Sequence, residues 1–151
     1  MYKLSIVCLA LVFLSCVPSL YYDLYLKYPW FDVVQHLSGA FFVAMFMTVY
    51  LEENIRGGSR MKNLIVITGA TILMGVLWEF SEYIANQTLI DYFYEKFRLR
   101  VYFMGDLNDT VKDLVMDVSG AVLFYCLHLF WSRKTHEIKG EFQNNGGGLA
   151  Q

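Results

Sequence analysis

The chain has 151 residues, of which 56% are hydrophobic, 17% aromatic and 17% charged, and its formal net charge is −2. The charged fraction lies well below that of soluble domains, so the composition excludes an ordinary soluble protein and favours one small membrane domain. The lipid bilayer is the first expected partner, and no nucleic-acid partner is expected.

Four apolar stretches are each long enough to cross a membrane, a distance that needs about 20 mostly apolar residues. In chain order they are Lys3–Leu20, Val33–Leu51, Lys62–Ala85 and Leu114–Trp131. Helices are favoured over strands because the runs are continuously apolar and lack the alternation of an outer-membrane barrel. The predicted fold class is therefore all-α, an integral membrane four-helix bundle over residues 1–131. Residues 132–151 are polar and then Gly-rich, which predicts a disordered tail.

The first stretch has two interpretations. Lys3 followed by an apolar run is also typical of a secretory signal, and the segment ending in Cys16 weakly resembles a lipoprotein cleavage site. Phe13 and Leu14 stand where that site favours an aliphatic and then a small residue. A retained first transmembrane helix is the favoured interpretation, and cleavage is the alternative.

The connections between the spans are short except for the last. Tyr21–Asp32 predicts a loop in which Pro29 favours an extended or turn conformation. Glu52–Met61 contains two adjacent glycines and predicts a tight turn. Within the longest connection, Asn86–Lys112, the mixed apolar and charged pattern of Leu89–Leu99 predicts a short interfacial helix between the third and fourth spans.

The distribution of Lys and Arg favours a cytoplasmic location for both termini. In that orientation the inner side carries Lys3, Arg56, Arg60, Lys62, Arg133, Lys134 and Lys139, and the outer side carries Lys27, Lys96, Arg98, Arg100 and Lys112. Positively charged loops tend to stay on the cytoplasmic side. The sequence therefore predicts a multi-pass membrane protein with both termini in the cytoplasm.

Ionisable side chains converge on one side of the predicted bundle. If the four spans alternate in direction, the second begins, the third ends and the fourth begins on the same side. The side chains at these three places are Asp32, His36, Glu79, Glu82, Asp109, Asp113 and Asp117, with Asp106 one turn earlier. Such groups cost at least a few kcal/mol each at membrane depth unless they pair, bind an ion or face water. This predicts a polar site at the outer-leaflet end of the second to fourth spans.

The residue types of this site favour a divalent metal. Carboxylates with one imidazole suit Mg²⁺, Mn²⁺ or Zn²⁺, and the candidate ligands are His36, Glu79, Asp113 and Asp117. The acids of the fourth span share one helix face, but from Asp106 onward they spread over about 16 Å, so at most two adjacent ones can meet a single ion. A bound metal would activate water against a phosphoryl or acyl group of a lipid-linked substrate.

Simpler interpretations of the same residues remain open. Asp32 and Asp109 stand where helices begin, and carboxylates there are often caps or partners of the helix dipole. Glu79 and Asp117 lie inside apolar segments and are harder to explain in this way. Without metal, they could form a proton relay or a cation passage, or His36 could pair with either in a structural hydrogen bond.

Three segments resemble motifs of the VanZ-like membrane proteins and of the related YjdF-type inner-membrane proteins. Asp32–Gly39 is similar to an opening element with Asp, His and Gly; Trp78–Glu82 resembles W-E-x-x-E/Q; and Asp109–Ala121 resembles D-T-x-x-D-x-x-x-[DN]-x-x-G-A. The segments stand in the same order as in those proteins. Glu82 and Asp117, where VanZ-like proteins often have Gln and Asn, lean towards the YjdF-type relatives.

The resemblance implies a small polytopic bacterial membrane protein, and some VanZ-like members are linked to glycopeptide resistance. It implies no catalytic mechanism, so whether the chain is an enzyme stays open. One function class is a metal-dependent enzyme acting on a lipid-linked envelope substrate. The other is a non-enzymatic protein: a transporter, an ion-coupled element, or an envelope or antibiotic-resistance interaction factor. A transporter of this length would need a homo-oligomer to enclose a pathway.

Overall fold

The computed structural model describes the backbone of residues 2–22, 24–103 and 105–146. Within these ranges the chain forms seven helices. They are α1 Tyr2–Tyr21, α2 Leu24–Lys27, α3 Pro29–Tyr50, α4 Glu52–Ile55, α5 Arg60–Thr88, α6 Ile90–Phe97 and α7 Leu107–Gly146. The all-α fold predicted from the sequence is confirmed.

Four of the helices are long and apolar enough to cross a membrane. They are α1, α3, α5 and the first part of α7, Leu107–Ser132. Their outer faces carry large exposed apolar side chains, such as Leu11, Val17 and Leu73. Apolar surface of this extent is unfavourable in water and is solvated by the hydrocarbon of a bilayer. The protein is an integral membrane helical bundle.

Helix α3 lies at the centre of the bundle and packs against α1, α5 and α7. A core of buried side chains joins α3, α5 and α7: Ala44, Met45, Ile67, Ala121, Phe124 and Tyr125. Gly120 allows α7 to approach α3 closely, because a Cβ at this position would collide with the carbonyl oxygen of Leu37 and crowd the backbone nitrogen of Phe41. The packing therefore depends on a small residue at the interface, as is common between membrane helices.

Two helices begin well before the predicted spans, and α7 also ends later than predicted. Helix α3 begins at Pro29, four residues before the predicted Val33, because proline is well suited to the first turn of a helix. The predicted loop Tyr21–Asp32 therefore also contains the short helix α2 and the first turn of α3. Similarly, α7 begins at Leu107, seven residues before the predicted Leu114.

The first turn of α7 is capped by Asp106. Its Oδ1 accepts hydrogen bonds from the backbone N–H of Asn108 at 2.9 Å and of Asp109 at 3.1 Å, which satisfies two donors that lack helical partners. The helix continues to Gly146, and residues 147–151 lie outside the described residues. The division between a bundle ending at residue 131 and a tail stays a prediction.

The two connections on opposite sides of α5 have different forms. Before α5, the chain turns at Gly57, whose φ of 76° suits glycine, and Ser59 caps the helix by accepting a hydrogen bond from the backbone N–H of Lys62. After α5 comes α6, the short helix predicted between the third and fourth spans. Its aromatic side chains Tyr92, Tyr94 and Phe97 are exposed, as expected at a membrane–water interface.

Candidate functional site

A buried histidine, His36, lies between carboxylates from three helices. Its Nδ1 is 3.3 Å from Oδ1 of Asp117 in α7. Its Nε2 is 3.8 Å from Oδ1 of Asp32, one turn earlier in α3, and 3.8 Å from Oε1 of Glu79 in α5. Because α3 and α7 start at this end of the bundle and α5 finishes there, the three helices bring these groups to one depth.

The two ring nitrogens of His36 have different surroundings. An ionised carboxylate only accepts hydrogen bonds, so the contact with Asp117 favours a hydrogen on Nδ1. In the neutral ring Nε2 then carries a lone pair that can bind a cation, whereas in the protonated ring it carries a hydrogen that faces Asp32 and Glu79. A histidine held in this way by a carboxylate is a common metal ligand, because the carboxylate fixes both the tautomer and the orientation of the ring.

Lys112 contributes a cation at the edge of the site. Its Nζ is 2.5 Å from Oδ1 of Asp109, 3.5 Å from Oδ2 of Asp32 and 3.8 Å from Oδ1 of Asp113. Asp32 and Asp109 also lie in the first turns of α3 and α7, so the alternative that they are partners of the helix dipole stays open. Asp109 stays partly exposed beside Lys112 and belongs to neither of the potential metal groups described below.

Glu82 lies one turn beyond Glu79 in α5 and is partly buried. Its Oε1 accepts a hydrogen bond of 2.9 Å from the indole N–H of Trp78. The indole thus orients this carboxylate within the site. We call the set Asp32, His36, Glu79, Glu82, Asp109, Lys112, Asp113 and Asp117 the polar cluster. Asp106 is not part of it, since that side chain caps α7.

Three oxygens of the polar cluster are buried without a hydrogen-bond partner among the residues that the structure describes. They are Oε1 of Glu79, Oδ1 of Asp113 and Oδ2 of Asp117, and these residues are only 6%, 3% and 4% exposed. A buried polar atom without a partner costs about 1–3 kcal/mol, and more when it is charged. Such atoms need a ligand, an ion, a proton or water to be stable.

The cluster is also strongly acidic. It contains six carboxyl groups against one ammonium and one imidazole, so an excess of negative charge remains even when His36 is protonated. Like charges at this spacing repel one another unless a cation or protons neutralise them. The arrangement therefore favours binding of a cation.

Two overlapping groups have the residue types and spacing of a metal site: Asp32, His36 and Asp113, and His36, Glu79 and Glu82. In each group the potential ligand atoms lie within 4.8 Å of one another. Ligands on opposite sides of Mg²⁺ are about 4.2 Å apart, so small side-chain rotations suffice for coordination. Asp117, a predicted ligand, is absent from both groups and contacts the opposite nitrogen of His36.

A cavity of about 330 Å³ extends from the polar cluster into the membrane-spanning part of the bundle. Helices α1, α3 and α5 supply most of its wall, and Asp117 of α7 lines it at the polar end. Asp32, His36 and Glu82 also line that end. The remainder is mainly apolar, formed by side chains such as Val12, Val43 and Met74.

Hydrogen bonds beside the polar cluster tie the first three helices together. The hydroxyl of Tyr25 donates to Oε1 of Gln35 at 2.6 Å, and Nε2 of Gln35 donates to Oγ of Ser15 at 2.7 Å. Burial raises the pKa of the Tyr25 phenol above its ordinary value, so the hydroxyl stays protonated as a donor. Gln35 was not among the predicted site residues. A polar residue inside an apolar span is the pattern that could have indicated it.

Comparison with known proteins shows a family for nearly the whole chain. Residues 2–134 match the family described as predicted membrane protein (DUF2238). The chain belongs to this family. An uncharacterized protein of Thermotoga maritima is 27% identical over 110 residues, which are 72% of this chain and 53% of that protein. The chain thus spans about half the length of that relative. No solved structure matches the chain.

Proposed function

We propose that this DUF2238 protein binds a divalent cation in the polar cluster and uses it to act on a lipid-linked substrate of the bacterial cell envelope. In this proposal it is a VanZ-like or YjdF-type protein of the cytoplasmic membrane, with the cluster at the outer leaflet. The single observation that carries the proposal is the position of His36. One ring nitrogen is held by Asp117, and the other points to the buried carboxylates of Asp32 and Glu79.

Each residue then has a distinct role. His36 binds the cation through Nε2, while Asp117 positions the ring through Nδ1. Glu79 supplies a buried oxygen that otherwise has no hydrogen-bond partner among the described residues. Asp32 contacts His36 through one oxygen and Lys112 through the other, so it would link the ligand set to the exposed edge of the site.

Mg²⁺, Mn²⁺ and Zn²⁺ all suit a set of carboxylates with one imidazole. When bound, such a cation supplies a Lewis acid that polarises a phosphoryl or acyl oxygen. Lys112, which is about one third exposed, is placed to hold an anionic group at the mouth of the site. A substrate with an apolar chain is supported by the position of the cluster at the end of membrane-spanning helices.

The experiment that tests this proposal compares thermal unfolding of the purified protein with added cation and with chelator. A ligand that binds only the folded state at a hundred times its Kd stabilises that state by about 2.7 kcal/mol. We expect Mg²⁺, Mn²⁺ or Zn²⁺ to raise the Tm of the wild type. Glu79→Gln should lose most of this increase and should lower the metal content found by elemental analysis.

The matched control is Glu53→Gln, an exposed position in α4, which should keep the full response. Identical melting curves with chelator and with all three metals, together with no bound metal in the wild type, would refute the metal site. Glu79→Gln also removes one of several like charges, which by itself can change the Tm. The increase in Tm on adding cation is therefore compared between variants, and not the Tm itself.

A metal-free proton relay is the second candidate, and one observation favours it. Each ring nitrogen of His36 faces a carboxylate. Nδ1 faces Asp117, and Nε2 faces Asp32 and Glu79. An imidazole placed between carboxylates can pass a proton from one to the other. This function would fit an ion-coupled element or transporter, in which a homo-oligomer encloses the pathway, and a negative metal experiment would favour it.

A further inference from the structure

We propose that the cavity beside the polar cluster binds a lipid with one hydrocarbon chain and an anionic phosphate head group. The chain would lie between α1, α3 and α5, and the head group would reach the polar cluster. This inference rests on the proposed function, since the bound cation gives an anionic head group a partner among acidic side chains.

The wall of the cavity is apolar along most of its length, which favours a hydrocarbon chain as the occupant. Val12 of α1, Ala40 and Val43 of α3 and Met74 of α5 line the part away from the polar cluster. Water in a buried cavity needs about two to four polar partners, and these side chains offer none. An apolar chain is the occupant that such a surface stabilises.

The route into the cavity faces the bilayer. Helix α1 packs against α3, but among the described residues no Cα of α1 lies within 8 Å of a Cα in α5. An edge-to-face contact between the rings of Phe13 and Trp78, with centroids 6.0 Å apart, bridges the two helices at this point. Phe13 is mostly exposed on the outer surface. A hydrocarbon chain can therefore enter sideways from the membrane after these two side chains rotate.

The size of the cavity fits one chain. Asp32 and Val43, which line its two ends on α3, are separated by about 16 Å along the helix axis at 1.5 Å per residue. The volume of about 330 Å³ is thus spread over a length that one extended hydrocarbon chain would follow.

The polar end of the cavity carries an unsatisfied group. Oδ2 of Asp117 lines this end and is buried without a hydrogen-bond partner among the described residues. Asp32 and His36, which belong to one of the potential metal groups, line the same end. A phosphate reaching this point would need the proposed cation as its partner, because the carboxylates around it repel an anion. The apolar part of the cavity thus leads to the residues of the proposed ion site.

Photolabelling of the purified full-length protein tests the inference. The probe is hexadecyl phosphate with a diazirine at the end of its chain, used with Mn²⁺ present. We expect labelled residues on α1, α3 and α5 around the cavity. Unlabelled hexadecyl phosphate should compete, whereas inorganic phosphate and the two-chain dihexadecyl phosphate should not compete at equal concentration.

Two valine substitutions on α3 distinguish labelling inside the cavity from labelling on the outer surface. Val43→Trp fills the cavity and should lower labelling by about tenfold, a typical penalty for a misfit in an apolar pocket. Val34→Trp adds the same side chain at a position that is 50% exposed and does not line the cavity, so labelling should be unchanged. Equal labelling of the two variants, or labels confined to exposed faces, would overturn the inference.

A second pair of substitutions, on α1, tests whether a loss of labelling comes from a folding defect. Val12→Trp fills the cavity from the opposite wall, and its control is Val17→Trp, at a position that is 63% exposed. Metal content is measured in every sample. Bound metal without cavity labelling refutes the lipid site alone, whereas cavity labelling without bound metal supports the lipid site and refutes the proposed cation. Loss of labelling with metal retained in both filling variants is the expected result.

Discussion

Asp117 illustrates how a single carboxylate can orient the side chain of another helix. Its Oδ1 holds Nδ1 of His36 at 3.3 Å, and its Oδ2 lies so near Gly75 of α5 that a Cβ there would collide with it. Glycine at position 75 therefore makes room for the carboxylate that orients the histidine. The side chain connects α3, α5 and α7 at one point.

We expect Asp117→Asn to weaken cation binding by about 10–100-fold, the usual cost of removing a partner that orients a metal-binding histidine. Asparagine retains an oxygen that accepts from Nδ1–H, but it carries no charge to strengthen the ligand. Isothermal titration of the purified protein with Mn²⁺ measures the change. The control Asp106→Asn, on the same helix, should bind normally because asparagine is also a good helix cap. Equal affinities for the two variants would contradict a positioning role.

At the scale of helices, the contact between α3 and α7 depends on Gly120. An added Cβ would meet backbone atoms of Leu37 and Phe41, and backbone cannot move aside as a flexible side chain can. The contact lies one turn below Asp117, so the separation of the two helices also sets the distance between Asp117 and His36. Packing and site geometry are coupled at this crossing.

We predict that Gly120→Ala destabilises the protein by about 1–3 kcal/mol, the usual range for overpacking a tight interface, and also weakens cation binding. Gly69→Ala is the matched control in α5, where nothing lies within 4 Å of an added Cβ. There, alanine should stabilise the helix by about 0.5–1 kcal/mol because it is the better helix former. Denaturation in mixed micelles measures both changes. If Gly120→Ala left the free energy of unfolding and the cation affinity unchanged, the close contact between α3 and α7 would not be required.

The span count and the depth of the acids could be predicted from the sequence, because hydrophobic length and alternating direction determine both. The rotation of each helix about its own axis could not. Whether Asp117 reaches His36 depends on the close packing of α7 against α3 at Gly120, which no periodicity reveals. The same holds for Lys112, whose ammonium reaches Asp32 on another helix. Asp106 could be assigned as a cap only once the start of α7 was known.

At the scale of the whole molecule, four spans that alternate in direction would place the start of α1 and the end of the fourth span on the same side of the membrane. The excess of Lys and Arg on that side predicts that it is the cytoplasmic one. The polar cluster and α6 would then lie towards the outside, where an envelope substrate is reached. Inversion of the protein would instead direct the cluster towards the cytoplasm.

Cysteine labelling in intact cells tests this orientation. In a chain with Cys8, Cys16 and Cys126 replaced by serine, Asp91→Cys in α6 should react with a membrane-impermeant maleimide. Glu53→Cys in α4, equally exposed in the structure, should react only after the cells are opened. The reverse pattern would place the polar cluster on the cytoplasmic side and exclude an outer-leaflet substrate.

The two ends of the bundle are held together by different forces. At one end, α3, α5 and α7 share an apolar core, and the hydroxyl of Tyr125 donates to the carbonyl oxygen of Arg60 at 2.8 Å. At the other end they meet through the charges around His36. If the proposed cation binds at the charged end, its removal should separate the helices there and leave the apolar end closed. Amide hydrogen exchange should then accelerate near Glu79 and Asp113 but not near Ile67 and Phe124.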